Sequence, residues 1–106
     1  MDQEPKFPAR VAAVVGSPLS PLQPERIVMN RGSVHGVKTG QTFLIYALGE
    51  LIKDPSTGEV LGQLEVVKAQ AKAIHVQDKM TTLELLGSSA LFTLVVPAVG
   101  DYVKPI

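Results

Sequence analysis

The sequence predicts an all-β fold, a small barrel or sandwich of six to seven short, mostly antiparallel strands. Three observations carry that expectation. Apolar runs of strand length recur along the 106 residues, with turn residues between them about every 8–12 positions. Glycines are tightly spaced from Ile27 to Gly62, where Gly32, Gly36 and Gly40 recur at intervals of four. The run Asp54-Pro55-Ser56-Thr57-Gly58-Glu59 has the composition of a tight hairpin turn. A chain of this length suits one domain with one core. The expected organisation is a flexible tail over residues 1–8 and a single β-barrel domain over residues 9–106.

The elements follow in order. Ala9 to Val15 is a first strand, ended by Gly16. Pro18, Pro21 and Pro24 then stand at every third position of the segment Ser17–Pro24. Proline fixes φ and removes a ladder donor, so this segment is expected to be a rigid surface loop. Arg26 to Asn30 is the second strand, and it leads into the loop Arg31–Gly40. Glycines there suit left-handed backbone in a compact turn, with Val34 and Val37 expected as small inward plugs. Gln41 to Leu48 alternates Phe43 and Ile45 against Leu44 and Tyr46, both sets apolar, so it reads as a central strand.

Gly49-Glu50 is expected to break that run before Leu51-Ile52-Lys53 continues it. In the hairpin turn Pro55 suits the second position, Asp54 caps the backbone and Gly58 takes the left-handed position. Val60 to Val67 returns as the partner strand, with Gly62 at a bulge or close approach. Lys68 to Lys79 carries mixed signals. Ala69-Gln70-Ala71-Lys72-Ala73 has helix propensity, yet nothing caps it and Ile74 and Val76 alternate with Ala73 and His75. Strand is preferred there, with helix as the alternative. Thr81 to Leu86 reads as a further strand, Ala90 to Val96 as another strand or a packed apolar connection, and Asp101 to Lys104 as a short closing strand.

Composition narrows the function classes. There is no cysteine, which removes disulfides, thiolate nucleophiles and Cys-based zinc sites. Ten basic and ten acidic residues balance to zero formal charge, and the five aromatics include no tryptophan. Nucleic-acid binding, which draws on basic surface and stacking platforms, is not expected. No apolar run approaches the roughly 20 residues of a membrane-spanning helix. The polar start MDQEPKFP does not read as a signal peptide. The expected location is therefore the cytoplasm, or the periplasm or cell envelope if an export signal has been removed.

The chemistry-bearing motifs each have a plainer structural reading. Gly32 to Thr39 superficially resembles a phosphate-binding loop, but the spacing of its glycines and of Lys38 does not fit. His35 and His75 stand 40 residues apart without ligand spacing nearby. Ser17, Ser33, Ser56, Ser88 and Ser89 all fall in predicted turns, where serine bonds locally. Asp54, Glu50 and Glu59 cluster at the hairpin as a cap and exposed charge, and Arg26, Arg31 and Lys38 make a modest basic edge. No catalytic, cofactor-binding or metal-binding residue is assigned. Gly32, Gly36, Gly40, Asp54, Pro55 and Gly58 are assigned as structural turn positions. The nearly uncharged stretch from Leu83 to Val96 is the best candidate for a partner surface, with Leu83, Leu85, Leu91 and Phe92 as its leading residues, although burial in the core is the preferred reading of it.

The phrase Ile27-Val28-Met29-Asn30-Arg31-Gly32-Ser33, then Gly36-Val37-Lys38 and Gly40-Gln41, forms part of a longer pattern. It continues through Phe43, Tyr46, the Asp54–Glu59 hairpin, Leu61-Gly62 and finally Gly100-Asp101 with Val103. Over residues 10–104 this resembles the C-terminal domain of the flagellar assembly protein T family and related small β-barrel modules of bacterial envelope proteins. The glycine-loop part alone is similar to the barrels of the rod-shape-determining protein C family. The resemblance implies a non-enzymatic scaffold or protein–protein interaction module of an envelope or flagellum-type assembly, without a cofactor. The partner is a protein of unknown identity, and a homo-oligomer is compatible with the same features. The competing class is a small-ligand or glycan-binding barrel, its mouth formed by the Gly32–Gly40 loop and the Asp54–Glu59 hairpin.

Overall fold

A computed structural model describes residues 7–17, 20–86 and 97–106. It is all-β: six strands close one antiparallel barrel. They are β1 (Ala9–Ser17), β2 (Ser20–Met29), β3 (Thr42–Lys53), β4 (Val60–Val76), β5 (Thr81–Leu85) and β6 (Tyr102–Pro105). The order around the barrel is β1-β2-β5-β4-β3-β6, and β6 returns to β1. A 3-10 turn, Ser33–His35, sits between β2 and β3. Closure removes the sheet edges that an open six-stranded sheet would expose.

The interior follows the period-two rule of strands. Ala9, Val11, Ile27, Met29, Phe43, Ile45, Ala71, Ala73, Leu83 and Val103 point inward and are almost completely buried, with Val37 as a plug from the loop. Large and small side chains are matched across the ladder. Phe43 lies opposite Ala71 and Ile45 opposite Ala69, so the narrow lumen holds aromatic and branched groups without crowding. Among the described residues, every buried side-chain nitrogen and oxygen has a hydrogen-bond partner. This interior is packed core.

The alanine-rich segment is strand throughout, inside the 17-residue β4. Ala69, Ala71 and Ala73 are buried while Gln70 and Lys72 are exposed, and β4 pairs with β3 on one side and β5 on the other. Two ladders of hydrogen bonds outweigh the few tenths of a kcal/mol per residue that helix propensity offers.

Four local expectations are corrected. Ser20 to Pro24 belongs to β2 instead of a loop: Gly16 pairs with Pro24 and Ser17 with Ser20, across two register shifts. The ladder with β5 begins only at Arg26, so Pro21 and Pro24 lie where β2 has a described neighbour on one side alone. Proline is tolerated at such an edge because a missing N–H there leaves no ladder bond unmade. Gly49-Glu50 does not end β3; it forms an irregularity between the pairs Leu48–Glu65 and Leu51–Gln63. Val34 is 64% exposed and plugs nothing, unlike Val37. Gly32 is extended, with φ −145°, so its need for glycine is not conformational. The expected strand Ala90–Val96 lies outside the described residues.

Candidate interaction surface

The glycine loop is built as a structural joint. Gly36 and Gly40 adopt φ of 88° and 91°. The Gly32 N–H donates to His35 Nδ1 at 3.0 Å, and the N–H groups of His35 and Val37 donate back to the Gly32 carbonyl. The N–H groups of Ser33 and Val34 then donate to the carbonyls of Gln77 and Asp78, which docks the loop on the β4–β5 turn. Asn30 closes the other side: its N–H donates to the Arg10 carbonyl and its Oδ1 accepts from the Arg10 N–H at 2.8 Å. Arg31 turns its guanidinium onto the Asn30 carbonyl, while Arg26 and Lys38 are exposed.

The Asp54–Glu59 turn forms as the sequence predicts. Asp54 Oδ1 accepts from the Ser56 N–H, the Gly58 N–H donates to the Asp54 carbonyl, and Gly58 has φ 78°. Gly36→Val and Gly58→Val are each expected to lower stability by more than about 1 kcal/mol, because a branched side chain resists left-handed backbone. Denaturant midpoints of the two variants check this.

The loop and this hairpin lie at opposite ends of β3. Twelve residues of strand separate them, roughly 40 Å at about 3.3 Å per residue. They cannot together form the mouth of one ligand site. His75 is exposed on β4, 40 residues from His35, and among the described residues no group of three or more His, Asp or Glu is arranged to hold a metal ion. A shallow depression of about 610 Å³ borders the β4–β5 turn at Gln77–Met80.

Two of the predicted partner-surface residues are placed in the core region. Leu83 is completely buried opposite Ile27 and Ala73, and Leu85 packs partly buried against the same cluster. Leu83 therefore faces the lumen and is not presented to a partner. Leu91 and Phe92 lie outside the described residues.

The exposed apolar surface is elsewhere. Beyond Tyr46, β3 leaves β6 and continues with β4 as its only neighbour among the described residues. The pair Ala47–Lys53 and Val60–Val67 makes a two-stranded arm, on the order of 20 Å long, projecting from the barrel wall. It carries eight of the thirteen exposed large hydrophobic side chains among the described residues. The register puts Ala47 opposite Val66 on the face that continues the barrel interior, with Ile52 and Leu64 on the same side. Leu48, Leu51 and Val67 share the other face, and Val60 and Leu61 follow the turn. Gly49 admits the crossing of Val66 and Leu64, whose atoms would lie 3.3–3.7 Å from an added Cβ. Sequence reading assigned this hairpin correctly but missed its exposure. The available signal was apolarity on both faces of the ribbon.

At the base of the arm a side-chain ladder runs across the outer wall. Arg10 lies over the Tyr102 ring at 4.4 Å, Tyr102 stacks on Tyr46 at 5.7 Å, and Lys104 lies over Tyr46 at 4.9 Å while pairing with Glu65 at 2.7 Å. Nearby, Lys68 pairs with the buried Asp101 at 2.8 Å, and Asp101 also accepts from the Ala98 N–H. The β1–β6 ladder pairs Ala9 with Val103 and Arg10 with Tyr102, and Val11 extends it by backbone bonds to Asp101 and Gly100. The side-chain ladder reinforces this seam where the barrel closes.

Burial raises the Tyr46 phenol above its ordinary range, with the Glu65 carboxylate adding to the rise. The hydrogen bond to Glu65 raises the Lys104 ammonium. In both cases the folded state holds its proton more tightly than the unfolded chain does. Their stabilisation is complete below the ordinary pKa values and is lost as pH rises through the raised ones. Thermal midpoints are expected to fall from about pH 9 to about pH 11, and Tyr46→Phe should flatten part of that fall.

No protein-family model matches the chain, and no curated protein matches it. No helix among the described residues is long and apolar enough to cross a membrane.

Proposed function

We propose that this chain is a non-enzymatic protein–protein interaction module, a scaffold element of a bacterial envelope or flagellum-type assembly. The observation that carries the reading is the β3–β4 arm. Monomeric proteins seldom leave a contiguous apolar patch above a few hundred Å² to water, and larger ones mark binding surfaces. Here exposed apolar side chains stand on both faces of a ribbon closed by a hydrogen-bonded turn. The envelope or flagellar setting rests on the resemblance of the Asn30–Gly40 loop, the Asp54–Glu59 hairpin and Gly100-Asp101 to those barrels. In that setting the chain acts in the periplasm or envelope after removal of an export signal, and otherwise in the cytoplasm.

Site-specific photo-crosslinking in the producing cell tests the reading. A crosslinker at Leu61 or Leu51 is expected to trap a protein, whereas one at exposed Lys72 on the barrel wall should trap little. Equal yields from arm and wall, or no protein adduct from the arm, would count against it.

A further inference from the structure

We draw no further inference here: the strongest candidate, the exposed apolar surface of the β3–β4 arm around Leu51, Leu61 and Leu64, carries nothing because nothing among the described residues shows what covers it.

Discussion

Gly32→Ala should lower the stability of the barrel by about 3 kcal/mol or more. The backbone at Gly32 is extended and open to any residue, so the cost is steric. A Cβ there would lie 2.6 Å from the Asp78 carbonyl oxygen and closer still to that of Gln77. Both are backbone atoms of a turn held by the Gln77 N–H bond to Met80, and neither can swing aside like a side chain. Relief requires the loop to lift away, which breaks the Ser33–Gln77 and Val34–Asp78 hydrogen bonds. Gly58→Ala is the informative control. It has positive φ but no atom within 4 Å of an added Cβ, so it should cost only about 1 kcal/mol. Denaturant unfolding of both variants gives the comparison; equal, mild losses would mean that the loop is not seated on the β4–β5 turn.

Phe43→Ala is expected to cost about 3–5 kcal/mol. Phe43 is fully buried, stands opposite Ala71 and touches the Phe7 ring at a centroid distance of 5.8 Å. Its inward neighbours on β4 are alanines, which have no side-chain length with which to fill the vacated space. The cavity should persist, which places the loss towards the upper end. The readout is a lower denaturant midpoint with an unchanged slope. A loss below about 1.5 kcal/mol would mean that the barrel collapses around position 43 and is less rigid than its packing implies.

Much of the fold was legible because its determinants are local. The Asp54–Glu59 turn, the positive-φ glycines at 36, 40 and 58, and the alternation of Phe43 and Ile45 against Leu44 and Tyr46 need no distant residue to be understood. The preference for strand over Lys68–Val76 was also recoverable, since Ala69, Ala71 and Ala73 keep period two. The proline segment misled because proline forbids only a central ladder position, and composition cannot tell an edge from a centre.

The candidate site was the less legible part. Leu83 and the arm residues Leu51 and Leu64 are chemically alike in the sequence. What separates them is which strands lie beside them among the described residues: β5 runs between β2 and β4 and turns Leu83 into the lumen, while Leu51 and Leu64 lie where β3 and β4 have only each other as described neighbours and are half exposed. By itself the sequence determined the all-β class, the hairpin and the turn glycines, because short-range backbone sterics and side-chain alternation act within a few residues. Only the tertiary structure decided which apolar strands are wrapped and which project, and why Gly32 must be glycine. Burial depends on partners brought together across the whole chain, and no local pattern records them.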